Sequence, residues 1–352
     1  TGMRYLLYAQ QKLCLPNLRP LQREIFARGG QAAWLLTESA VSANNLRADE
    51  LRLPNAAAAV DWRPDAVLVP GNMVPAFLPG IKTALFHGFN VAKATRSDER
   101  GHFNIRGCFD LYCTQGPNTT APFQELMEKH RHFSVQETGW PALDPLFEGL
   151  DPIGEDRRPC VILCSTFNRD LSCAPHLLDT VERLSRSSRW RWLVQFHPKM
   201  DKSISEAYKA LQNENLSFIE TDDVIPYLLQ ADVMVCDTSS VMYMFMAKRR
   251  PVVTFRNKSR GGRDHLIDIG DPDDLENAIG LALDRPESLM QNIDAWLAQM
   301  HPYSDGRSSG RVLDAIEAFH ANPPVLKAKP LNLMRNLKQR SMLGYWGTGG
   351  RR

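Results

Sequence analysis

The run Val233-Met234-Val235-Cys236-Asp237-Thr238-Ser239-Ser240-Val241 sets polar groups between an apolar strand and a helical pattern. A strand ending at an aspartate delivers the next residues to the edge of a sheet. Two hydroxyls there, on Ser239 and Ser240, join the unpaired N–H groups and positive dipole end of a helix, a setting that favours a phosphate. The same residues also make an ordinary helix cap through Asp237, Thr238 or Ser239. Spacing alone leaves both readings open.

Two histidines have similar positions. His197 follows Val194-Gln195-Phe196 and precedes Pro198-Lys199, while His87 follows Ala84-Leu85-Phe86 and precedes Gly88-Phe89-Asn90. A neutral imidazole donates to a phosphate and an imidazolium neutralises one. A histidine that titrates near neutrality can also take a proton from an attacking hydroxyl. Gly88 permits close approach of a ligand to the backbone, so Gly88 and Asn90 are candidates for the wall of a cleft. Thr166 is a further candidate because it also follows a strand. The competing reading is a plain loop or core histidine at each position. The other histidines lack a strand-end placement and read as structural or solvent-facing. No HExxH, GxSxG, Walker loop or GxGxxG occurs. No metal or cofactor is expected, and Asp271, Asp273, Asp274 and Glu276 read as a helix N-terminus.

These residues need strands to position them. Short apolar runs at 5–8, 32–36, 66–69, 83–86 and 111–114 alternate with polar or helical stretches. Proline, glycine and charge then punctuate residues 138–159, which read as a domain boundary. The alternation resumes with strands at 161–164, 192–196, 216–219, 233–236 and 251–255, and helices at 174–184, 224–230 and 241–247. Ser203 and Glu206 have the spacing of a capping box. Such a pattern predicts an α/β fold of two Rossmann-like lobes with parallel sheets facing an interdomain cleft. Ligands in such sheets sit beyond the carboxyl ends of the strands. The expected lobes are 3–154, completed by a helix near 306–321, and 155–305, followed by a basic amphipathic tail, 322–352.

The 352 residues exceed what a single core usually organises, which agrees with two domains. A net charge of +2, from 42 basic and 40 acidic residues, gives no field for nucleic acid, so none is expected as a partner. The seven cysteines include no CxxC pair and suggest a reduced, cytoplasmic setting. Cys160 and Cys164 read as small core residues. No apolar run approaches the roughly 20 residues of a membrane span, and Thr1-Gly2-Met3 does not open a signal peptide. The tail is the exception to charge balance. Lys327, Lys329, Arg335, Lys338, Arg340, Arg351 and Arg352 are interleaved with Leu331, Leu333, Met334, Leu337, Leu343, Tyr345 and Trp346, without one acidic residue. This composition suits either peripheral contact with an anionic membrane surface or a solvated, disordered tail.

Taken in order, five segments resemble the CDP-glycerol glycerophosphotransferase family, the polymerases and primases of teichoic-acid-like polymers. They are Phe86-His87-Gly88, Thr138-Gly139-Trp140-Pro141-Ala142-Leu143-Asp144, Phe196-His197-Pro198, Asp232 to Val241, and Tyr303-Ser304-Asp305-Gly306-Arg307-Ser308-Ser309-Gly310-Arg311. Phe89 and Ala142 depart from the family's usual threonine and arginine. The resemblance implies a GT-B architecture, with Asp237, Ser239, Ser240 and His197 along a donor diphosphate and Thr166 near the nucleotide. It implies His87 as general base, attack on the β-phosphorus of CDP-glycerol and release of CMP. Glycerol phosphate, or a related polyol phosphate, would pass to a hydroxyl of a cell-surface glycan or lipid-linked acceptor on the inner face of the membrane. A GT-B glycosyltransferase using a nucleotide sugar shares the scaffold, and a non-enzymatic nucleotide-binding scaffold is the remaining alternative.

Overall fold

The protein is seen here as a computed structural model that describes residues 2–37, 42–89, 101, 103–149 and 154–348. Asn90, Pro152, Arg351 and Arg352 lie outside the described residues. Along the chain run β1 (Arg4–Ala9), α1 (Cys14–Ala27), β2 (Gln31–Leu36), α2 (Ala56–Trp62), β3 (Ala66–Val69), β4 (Ile81–Ala84), β5 (Leu111–Thr114), α3 (Pro117–His130) and β6 (Ser134–Glu137). Next come β7 (Cys160–Ser165), α4 (Ala174–Ser185), β8 (Arg191–Phe196), α5 (Lys202–Lys209), β9 (Leu216–Ile219), α6 (Ile225–Gln230) and β10 (Val233–Cys236). The order closes with α7 (Val241–Met246), β11 (Val252–Phe255), β12 (Ile267–Ile269), α8 (Leu275–Asp284), α9 (Glu287–Met300), α10 (Ser308–Ala321) and α11 (Leu333–Leu343).

The chain forms two compact units, each built on a six-stranded sheet. The first holds the chain up to Gly88, the stretch ending at Pro145, and everything from Met300; Leu146–Gln299 lies in the second. The division thus falls at 145/146 instead of 154/155. The tail beyond 322 is part of the first unit and carries α11. Strand order is β2-β1-β3-β4-β5-β6 in the first sheet and β12-β11-β10-β7-β8-β9 in the second. All the pairings are parallel.

Apolar strands are needed because both faces are covered. In the first unit Leu7, Trp34 and Leu68 pack with Leu18, Leu21, Ile25, Val312 and Ile316. Leu6, Tyr8 and Val67 point the other way, into a core with Tyr112, Phe123 and Phe133. In the second unit Val161, Leu163, Trp192, Val194, Val233 and Val235 meet Leu177, Val181 and Ile279. Cys160 and Cys164 are buried core residues of β7. The polar β6 and the short β12 had no apolar run to reveal them, and both are edge strands. The capping box expected at Ser203 is corrected: Asp201 is the N-cap, accepting from the Ser203 N–H at 2.8 Å. Residues 85 and 86 do not extend β4.

A polar clasp closes the first unit. The buried Asp144 carboxylate accepts from the N–H groups of Ser308 and Ser309, both at 2.9 Å, and so caps α10 from a distant part of the chain. Arg311 donates to the Thr138 carbonyl at 2.7 Å and pairs with Asp305 at 2.8 Å. Gly139 has φ +80°, and an added Cβ would lie 2.3 Å from Ser308 Oγ. Two of the five resembling segments, 138–144 and 303–311, therefore meet each other and do structural work. Asp144→Ala should lower the unfolding free energy by about 2–4 kcal/mol, because it strands two helix N–H groups in a buried place. Urea unfolding of the full chain measures this.

Candidate active site

In the second sheet the chain moves from β7 to β8 to β9 on one side, then from β10 to β11 to β12 on the other. Connections diverge between the neighbours β7 and β10, and a crevice opens at such a switch point. Thr166 follows β7 there, and Asp237 follows β10. One strand further, β8 delivers His197. Strands lie roughly 4.8 Å apart, so the three tips are neighbours on one sheet edge.

Asp237 has no exposed surface. Its carboxylate accepts from Ser165 Oγ at 2.9 Å, from the Thr166 N–H at 3.2 Å and from the Cys173 N–H at 2.8 Å. It thus ties the loop after β7 to the tip of β10. Burial raises its pKa from the ordinary 3.8, against the pull of these donors. Thr238 is also buried, and its Oγ1 accepts from the Lys258 N–H at 2.8 Å. Asn257 donates to the Asp237 carbonyl at 3.1 Å, so the loop after β11 is anchored to the same segment. Asp237 and Thr238 both turn their side chains inward and commit them to the protein.

Ser239 is half-buried and Ser240 exposed. Ser240 is the N-cap of α7, which has six residues and no side-chain cap bond. The plain-cap reading therefore fails at this helix. So short a helix also carries less dipole than the sequence reading assumed, which shifts the weight to the two hydroxyls.

His197 is exposed at the tip of β8. Its Nδ1 accepts from the Lys199 N–H at 3.0 Å, so the neutral ring carries its proton on Nε2. Phe167 lies 4.8 Å away, centroid to centroid. Partial burial, then the Lys199 ammonium, push the pKa below the usual histidine value. The result is a neutral N–H donor at pH 7. Thr166 is half-buried, with its Oγ1 accepting from the Asn168 N–H at 3.4 Å. Ser165, Phe167 and Asn257 were not singled out in the sequence. Their strand-end positions were the only signal.

His87 belongs to the first unit. It is exposed past β4, with Nδ1 3.4 Å from the Pro70 carbonyl beyond β3. The turn that presents it is unusual: Phe86 has φ +65°, a left-handed backbone that costs an aromatic residue energy. Its ring is buried, 5.3 Å from Phe123, and its carbonyl accepts from Trp140 Nε1 at 3.3 Å. These contacts hold the strained turn in place. At Gly88 an added Cβ would meet nothing within 4 Å, and the Gly88 carbonyl accepts from Gln115 Nε2 at 3.0 Å.

Two parallel-sheet α/β units of this kind define the GT-B type of fold. Solved structures agree. The wall teichoic acid polymerase TagF, as a variant soaked with CDPG, matches with TM-score 0.63 at 15% identity, over 91% of this chain and 89% of that one. A UDP-N-acetylglucosamine 2-epimerase matches with TM-score 0.61 at 14% identity, over 94% and 99%. The MnaA–UDP co-structure from S. aureus matches with TM-score 0.62 at 13% identity, over 93% and 99%. None of the curated proteins matches the chain. Residues 180–318 match the CDP-Glycerol:Poly(glycerophosphate) glycerophosphotransferase family, which upholds the resemblance read from the motifs and makes the chain a transferase. That span contains His197 and all of Asp237–Ser240.

The raised pKa of Asp237 has a pH consequence. Folding favours its protonated form, so its contribution to stability declines as pH rises from 3.8 through the higher folded-state pKa. Relative to Asp237→Asn, the wild-type chain should lose unfolding free energy across that window and then level off. Paired urea unfolding curves at successive pH values test the sign.

Proposed function

We propose that this transferase uses CDP-glycerol and passes glycerol phosphate to a hydroxyl of a surface glycan or lipid-linked acceptor, on the cytoplasmic side of a membrane. The observation that carries the reading is the β7–β10 switch point. There the inward Asp237 fixes the loops, while Ser239, Ser240 and the His197 Nε2–H remain at the strand tips within the span that matches the family.

In the proposed step, the acceptor oxygen attacks the β-phosphorus as its proton passes to His87. The bond from the β-phosphorus to the bridging oxygen breaks, and CMP departs with the electron pair. Negative charge grows on the bridging and non-bridging oxygens. A preformed N–H donor at His197 and two serine hydroxyls stabilise it without reorganising. The depressed pKa of His197 suits it to donate in its neutral form and not as a fixed cation. Gly88 fits the same reading, because among the described residues nothing lies within 4 Å of a Cβ added there. Thr166 is assigned to the nucleotide side of the crevice.

Calorimetric titration with CDP-glycerol, CDP, CMP, UDP and GDP tests donor choice. Selective binding of CDP-glycerol and CDP is expected; selective UDP or GDP binding would move the chain to sugar transfer. Ser240→Ala should weaken CDP-glycerol binding by about 1–2 kcal/mol, the usual effect of a lost hydrogen bond to a charged group. His87→Ala should abolish turnover while leaving donor affinity within about twofold, since a base contributes to the chemical step. An equal loss of binding would remove His87 from that role.

A further inference from the structure

The tail is folded onto the first unit. Lys327 N–H donates to the Arg131 carbonyl at 2.8 Å, and Lys329 pairs with Asp110 at 2.5 Å. Asn332 and Arg335 both donate to the Arg106 carbonyl. Pro330 seats on Gly107, whose φ is +72° and whose added Cβ would lie 2.9 Å from the proline ring. Tyr345 packs on Phe77 at 4.7 Å. Asp110 and Arg131 precede β5 and β6, so the tail is fixed to the amino-terminal edge of the sheet. His87 stands at the opposite edge, past the carboxyl end of β4.

This docking turns apolar side chains outward. Of the twelve most exposed large apolar residues among the described ones, seven fall between 325 and 346. Leu331 is 76% exposed, Met334 87% and Met342 70%. On α11, Leu333 and Leu337 are one turn apart, with Met334 and Lys338 beside them on the outward side. A groove of about 420 Å³ opens next to this face, lined by Ala76, Phe77, Leu333, Leu337 and Arg340. Lys327 and Lys338 are exposed, and residues 321–352 include seven basic and no acidic residues. Among the described residues no helix is long and apolar enough to cross a membrane.

We infer that residues 325–346 are a docking face for an anionic lipid bilayer. Helix α11 lies in the plane of the interface, with Leu333, Met334, Leu337 and Trp346 among the acyl chains and Lys327 and Lys338 at the phosphate headgroups. Charge selects this occupant. A second copy of the chain would bring like charge against like, whereas an anionic bilayer supplies both the counter-charge and the apolar layer. The edge that bears His87 stays clear of the lipid. The inference concerns the tail alone and stands apart from the nucleotide chemistry.

The test is co-sedimentation of the full chain with vesicles of phosphatidylcholine alone and of phosphatidylcholine mixed with phosphatidylglycerol. Binding should be confined to the anionic vesicles and weaken as salt rises. Met334→Glu combined with Leu337→Glu should reduce it at least about tenfold, and Lys338→Glu by about fivefold or more, at about 1 kcal/mol per charge near the surface. Thermal unfolding and CDP-glycerol titration of each variant separate loss of docking from loss of folding or of donor binding. Equal binding to neutral vesicles, no binding to either, or unchanged binding by the double variant would overturn the inference. So would a dimer in solution that the double variant converts to monomer, which would make the face a contact between copies.

Discussion

The second unit depends on one buried carboxylate. Asp237 ends β10 with no exposed surface and collects donors from Ser165, Thr166 and Cys173. An aspartate held this way is costly to desolvate, and its raised pKa records that cost. What it secures is the shape of a sheet edge. The loops after β7, β10 and β11 would otherwise be three independent segments; the carboxylate, the Asp237 carbonyl and the Thr238 hydroxyl bind them together. The hydroxyls that follow then occupy defined places, as preorganised charge stabilisation requires.

The first unit solves a similar problem with strain and a clasp. Phe86 takes a left-handed backbone so that the chain leaves β4 and presents His87. Its buried ring and the bond from Trp140 hold it there. Trp140 belongs to the 138–144 segment, which is itself locked to α10 through Asp144 and Arg311. The segments at 86–88, 138–144 and 303–311 are thus one connected arrangement. A substitution in the clasp can reach His87 through packing, without touching any substrate.

Much of this was legible in the sequence, for identifiable reasons. The strands at 66–69, 111–114 and 233–236 are apolar because they lie inside parallel sheets; these three and the edge strand at 216–219 kept their expected bounds. The strand-end positions of His87, His197 and Asp237 followed from the same pattern. Side-chain direction did not. Spacing cannot tell an inward carboxylate from an outward one, so the burial of the Asp237 and Thr238 side chains could not be read from it. β6 went unread because Ser134–Glu137 is a half-exposed edge strand with little to bury. The left-handed turn at Phe86 left no trace, since nothing in an aromatic residue announces positive φ. Composition could mark the tail as basic and apolar. Its attachment to Asp110 and Arg106 depends on contacts more than 200 residues apart in the chain.

The central claim is that the bond formed is to phosphorus and that the leaving group is CMP. Phosphorus-31 NMR of the products, with CDP-glycerol and a hydroxyl-bearing acceptor, tests it directly. The account predicts growth of a phosphodiester signal with a matching rise in CMP. Release of CDP, with no new phosphodiester, would place the attack at carbon and contradict the assignment of this site to glycerol phosphate transfer.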